Sequence, residues 1–88
     1  MRAKAIDRNQ PEIVSALRKA GVSVQILSAV GQGCPDILAG YNEVSYPIEI
    51  KMPGCKLTDD QRVWHSEWKG KVWIVYSAEE ALRIVKHD

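Results

Sequence analysis

Phenylalanine is missing from all 88 residues, so three tryptophans, three tyrosines and the aliphatic side chains must supply the bulk of any core. Cysteine is nearly as scarce. Cys34 and Cys55 are too few for a disulfide-stapled framework, and free thiols are expected. With His65 and His87 they are scattered along the chain and match no tight zinc-ligand knuckle, which argues against a small zinc-stabilised domain. No apolar run approaches the length of a membrane span, and the segment from Met1 to Asp7 lacks the apolar centre of a signal peptide, so the expected location is intracellular. Internal repeats, linkers and low-complexity stretches are also absent, which predicts one domain over 1–88, near the lower size limit of comfortable self-stability.

Basic residues are missing from one region. Residues 20–50 contain no Lys or Arg, and their Asp36, Glu43 and Glu49 give a balance of −3. Residues 1–19 balance to +3 and residues 51–73 to +2, the latter through Lys51, Lys56, Arg62, Lys69 and Lys71. The overall charge of +1 does not announce a nucleic-acid binder. An acidic centre between basic flanks does fit a cation site with phosphate-contacting margins.

Hydrophobic periodicity orders the elements. A first helix starts near Asn9 or Gln10, tolerates Pro11 in its first turn, carries Ile13, Val14 and Leu17 on one face, and stops at Gly21. Residues 22–27 alternate as a strand, and a glycine-punctuated loop over 28–35 follows. Strands over 36–41 and 44–51 read as a hairpin through Gly40-Tyr41-Asn42-Glu43. Pro47 cannot donate to a ladder, which predicts an edge, a bulge or a broken pairing there. Thr58-Asp59-Asp60-Gln61 is a capping box opening a second helix to about Trp68. A strand over 71–76 and a last helix behind a second box, Ser77 to Glu80, complete the order αβββαβα.

The hairpin carries the chemistry. Alternation puts Val44, Tyr46, Ile48 and Ile50 on one face of the third strand and Glu49 and Lys51 on the other. Pairing brings Asp36 and Glu49 to the same end of the sheet. Two carboxylates there repel unless a cation lies between them, and hard oxygen ligands suit Mg²⁺ or Mn²⁺. A lysine alongside completes the equipment for metal-assisted phosphodiester hydrolysis. Taken singly, each of these residues is more often a turn residue or a solvated strand residue; their joint order carries the reading.

The segments Gly33-Cys34-Pro35-Asp36-Ile37, Ile48-Glu49-Ile50-Lys51, Met52-Pro53-Gly54 and Leu57-Thr58-Asp59-Asp60-Gln61 resemble the VRR-NUC domains of the PD-(D/E)xK nuclease superfamily, in the compact form found in phages and prophages. The resemblance spans roughly residues 9 to 76. It implies an α/β, restriction-endonuclease-like αβββαβ core with a mixed sheet and a C-terminal helix. It also implies a Mg²⁺- or Mn²⁺-dependent endonuclease acting on branched DNA such as four-way junctions, in the cytoplasm of a bacterial host. Asp36 and Glu49 would then be metal-binding acids, the Ile50 carbonyl a further ligand, Lys51 the catalytic lysine, and Gln61 a residue turned back toward the site. The family's usual first-helix glutamate falls on Gln10. Glu12 lies about 200° further around a helix, and Asp7 lies one turn earlier. Glu12 is the first choice for the missing contribution, with Asp7 and Gln10 as the alternatives.

Lys56, Arg62, Lys69 and Lys71 are candidate phosphate contacts, although solvated charges are the commoner fate of such residues. Trp64 and Trp68, one helical turn apart, are read as core or subunit interface ahead of a base-stacking platform. His65 is read as a surface or partly buried residue ahead of a general base. Trp64, Trp68, Val72, Trp73 and Tyr76 exceed what a minimal core needs, which predicts a homodimer. The competing function is a catalytically silent DNA-binding or assembly module on the same fold.

Overall fold

A computed structural model describes residues 7–87. Arg2 and Lys4 of the basic first segment, and most of the stretch considered as a leader, lie outside the described residues. The chain is an α/β fold ordered α1 (Gln10–Lys19), β1 (Ser23–Ile26), β2 (Ile37–Tyr41), β3 (Val44–Ile50), α2 (Asp59–Glu67), β4 (Trp73–Val75) and α3 (Ala78–His87). The four strands form one mixed sheet in sequence order, antiparallel from β1 to β3 and parallel between β3 and β4. The expected αβββαβ core with a C-terminal helix is therefore present.

One face of the sheet makes the core. Ile37, Ala39, Tyr46, Ile48, Ile50 and Val75 are buried there, under Ile13, Val14 and Leu17 of α1 and Ala81 and Val85 of α3. The two helices also pack on each other. The buried residues of α1 recur at 10, 13, 14 and 17, the spacing of one helical face. That stripe includes Gln10 and leaves Glu12 exposed. The helix ends as its sequence predicts. Gly21 takes φ +87°, and the Val22 N–H reaches back 3.0 Å to the Leu17 carbonyl in a Schellman closure.

The hairpin strands end where the sequence places them. Gly40 and Tyr41 belong to β2, and only Asn42 and Glu43 turn, both at positive φ (54° and 67°), as a two-residue primed turn requires. Val44 shares the face of Tyr46, Ile48 and Ile50 but is exposed beside that turn. Pro47 sits in a central strand yet costs no ladder bond. The alternation set by the Tyr41–Val44 pair aims its nitrogen away from β2, and β4 begins only opposite Ile48. The Ser77 box is half made: the Glu80 N–H donates to the Ser77 hydroxyl (3.1 Å), but the Glu80 carboxylate accepts the Tyr76 N–H (2.6 Å). That contact satisfies an outward amide at the end of edge strand β4.

Leu17 is fully buried between the helices and the sheet. Truncating it to alanine should cost about 2–5 kcal/mol and Glu12→Ala nearly nothing. Chemical denaturation of the two variants beside the wild type measures the contrast.

Candidate metal centre at the end of the sheet

Asp36 occupies a bend just before β2, and its groups face three ways. Its carbonyl accepts from Leu27 N–H (2.8 Å), its N–H donates to the Ile48 carbonyl (3.1 Å), and its Oδ2 accepts from Ile50 N–H (2.6 Å). The carboxylate thus takes over where the β2–β3 ladder stops, and its 1% exposure reflects that role. One residue beyond β3 the Lys51 N–H donates to the Val75 carbonyl of β4 (3.0 Å). In a trans peptide the two polar groups point oppositely, so the Ile50 carbonyl is directed back to the Asp36 side.

Glu49 is completely buried. An isolated charge there would be prohibitive, and its compensation comes from α2. Gln61 Nε2 donates to Glu49 Oε2 at 3.1 Å, and His65 Nε2 lies 3.4 Å from Oε1. Lys51, 7% exposed, follows on the same strand end. Asn9, the N-cap residue of α1, makes no capping bond. Its amide donates instead to the Lys51 and Tyr76 carbonyls (both 3.1 Å), stapling the helix start to the ends of β3 and β4. The neighbouring Gln10 is buried, with Nε2 3.1 Å from the Ser28 hydroxyl, and its Oε1 has no hydrogen-bond partner among the described residues.

Asp36, Glu49, Ile50, Lys51 and Gln61 are therefore brought together. Glu12 is not: it is exposed, while Gln10 holds the inward position, because two residues turn a helix to its far side. Of the three candidates weighed for this helix, Gln10 is the buried one and Glu12, the first choice, faces solvent. Asp7 precedes the helix, and its carbonyl accepts the Gln10 N–H (3.0 Å). Arg62 is tied down locally, paired with Asp59 and donating to the Leu57 carbonyl at 2.9 Å. Lys56 is exposed on the loop after β3. Lys69 and Lys71 precede β4, and its parallel pairing carries them toward the opposite end of the sheet, about 15 Å along the strands from Lys51. Lys71 lies over the Trp73 ring at 5.1 Å. Sequence reasoning undervalued His65, although its spacing of four from Gln61 puts both on one helical face.

The donor set suits a small hard cation. Among the described residues no three of His, Cys, Asp and Glu converge to hold a metal. Mg²⁺ asks for less: one or two carboxylates, with water and substrate oxygens completing the shell. Asp36, Glu49 and the Ile50 carbonyl meet that need, and the orphaned Gln10 Oε1 is a buried acceptor awaiting a cation or a donor. Among the described residues neither cysteine is in a disulfide; Cys34 is half-buried and Cys55 exposed.

The loop before Asp36 fixes α2. Gly31, Gln32 and Gly33 all take positive φ, and Gly33 packs against the first turn of α2 so closely that a β-carbon would overlap the Asp60 carbonyl. No protein-family model, curated protein or solved structure matches this chain.

Gly33→Ala combines an unfavourable φ of +84° with that overlap, whereas Gly31→Ala at φ +73° meets open space. Backbone strain of this kind costs about 1–3 kcal/mol. The Gly33 variant should lose more stability and displace α2. Thermal melts, together with amide exchange over 59–67, distinguish the two.

Proposed function

We propose that the protein is a metal-dependent DNA endonuclease of the PD-(D/E)xK type, resembling VRR-NUC domains and selective for branched DNA. The observation that carries this reading is the burial of two carboxylates, Asp36 and Glu49, at one sheet end beside Lys51. Such a pair is costly to fold around unless it serves a bound cation. Asp36, Glu49 and the Ile50 carbonyl would hold Mg²⁺ or Mn²⁺, with Gln10 contributing its amide oxygen from α1. The ion supplies Lewis-acid activation of water and charge neutralisation at a phosphate. Lys51 presents a fixed positive charge to the scissile phosphate from a strand held on both sides, so little reorganisation is needed as charge develops. Lys56 supplies a basic margin beside the site, and Lys69 and Lys71 a second one further along the sheet.

The alternative, a silent DNA-binding module, draws its support from Gln10, a neutral residue where a third acid would be expected. A cleavage panel of four-way junctions, flaps, and single- and double-stranded DNA with Mg²⁺ or Mn²⁺ separates the two readings. Metal-dependent cutting supports the enzyme. Binding without cutting on any substrate, in the presence of either ion, supports the module.

Asp36→Ala and Glu49→Ala should each abolish cutting and divalent-ion binding, since each removes a charged ligand from a set with few replacements. Lys51→Ala should fold and bind DNA but lose about two orders of magnitude in rate, the scale of one preorganised charge. A Lys51→Ala loss confined to DNA affinity would make that residue a phosphate anchor.

Junction cutting on paired strands needs two sites, and a homodimer supplies them. Val63, Trp68, Ile74 and Tyr76 are exposed apolar residues, Trp64 and Trp68 stack at 4.8 Å, and β4 is an edge strand. Light scattering at micromolar concentration should give twice the 9.9 kDa chain mass. The single-chain mass, with and without DNA, would remove the dimer and favour flap or single-strand nicking.

A further inference from the structure

We propose that His65 is a positioning residue, which joins Gln61 in a clamp from α2 that fixes both oxygens of Glu49 for cation binding. This rests on the reading of Asp36 and Glu49 as metal ligands. Residues four apart on a helix share a face, and here each takes one oxygen: Gln61 Nε2 at 3.1 Å from Oε2 and His65 Nε2 at 3.4 Å from Oε1. Glu49 is fully buried and the His65 side chain is 12% exposed, so water competes little for either contact.

The Gln61 amide cannot turn over. Its Oε1 accepts the Thr58 N–H at 2.9 Å as half of the capping box, while the Gln61 N–H donates to the Thr58 hydroxyl at 3.2 Å. With its oxygen committed to the helix cap, its NH₂ faces Glu49. The same four residues that start α2 therefore orient half of the clamp. Burial along α2 points the same way. Gln61 is the only buried residue of this helix, and Val63 and Trp68 are exposed. The deepest attachment of α2 to the sheet is thus polar and centred on one carboxylate.

Glutamate has three side-chain torsions, and immobilising such a chain costs up to about 2 kcal/mol. A clamp formed on folding meets that cost before the ion arrives. Each carboxylate oxygen has two lone-pair positions, so these two contacts orient the group without by themselves filling it. Partners that orient metal ligands in this way typically change affinity by about 10–100-fold when removed.

The test is calorimetric titration of the full chain with Mn²⁺ for the wild type, His65→Leu, His65→Gln and Gln61→Ala, with circular dichroism melts as the folding control. Leucine preserves bulk without a donor, and glutamine restores an N–H at similar reach without an imidazole. Expected is one Mn²⁺ site in the wild type, affinity about 10–100-fold weaker in His65→Leu, and recovery to within a few-fold in His65→Gln. The cleavage rate should follow the same order with an unchanged KM for DNA. If His65→Leu unfolds, the comparison of His65→Gln with the wild type carries the test. Wild-type affinity in folded His65→Leu would overturn the clamp. A folded His65→Gln variant far weaker than the wild type would also overturn it, since His65 would then be acting through its imidazole. A wild type that binds no Mn²⁺ would instead overturn the metal reading on which the clamp rests.

Discussion

Glu49 has no exposure to water, and that one buried carboxylate governs how half of the fold is arranged. A charge in that position must be met by donors. They come from α2, a helix whose own apolar side chains remain largely outside the core. The capping box sets the start of α2 and the Gln61 amide at once, and Gly33 lets the helix approach the loop that leads into Asp36. The two carboxylates are thereby linked through the backbone on both sides of the site.

The opposite face of the sheet carries the stability. There α1 and α3 cover an aliphatic layer with no Phe in it, and Tyr46 and Trp73, 5.1 Å apart, fill the remaining bulk. The sheet thus divides its work: one face buries hydrocarbon, while the other faces α2 and holds Glu49. Lys51 and Asp36 lie where the strands stop, with Asn9 closing that end from α1. A rigid strand end is the setting in which a few charged groups can be held ready for reaction.

Much of this was legible in the sequence. Alternation or apolar runs predicted all four strands, and Gly21 and the Thr58 box marked element ends that the structure keeps. The pairing of Asp36 with Glu49 followed from hairpin logic alone. The two-residue gap between the predicted strands is the turn, although Asn42 and Glu43 adopt positive φ without a glycine. Of the alternatives raised by Pro47, the locally broken pairing holds, since β4 starts only opposite Ile48. Gln10 was kept as an alternative, and it lies on the same helical stripe as Ile13, Val14 and Leu17, whereas a preference for charge put Glu12 first. His65 had a local signal in its spacing of four from Gln61, but its weight depended on α2 crossing Glu49, which is a tertiary relation. The same holds for Lys69 and Lys71, whose distance from the site depends on the parallel pairing of β4.

The most direct measurement is anomalous diffraction from crystals soaked in Mn²⁺. The metal-dependent reading predicts a single strong manganese peak about 2–2.3 Å from an oxygen of Asp36, an oxygen of Glu49 and the Ile50 carbonyl. A peak elsewhere on the surface, with Asp36 and Glu49 keeping only their protein partners, would contradict it.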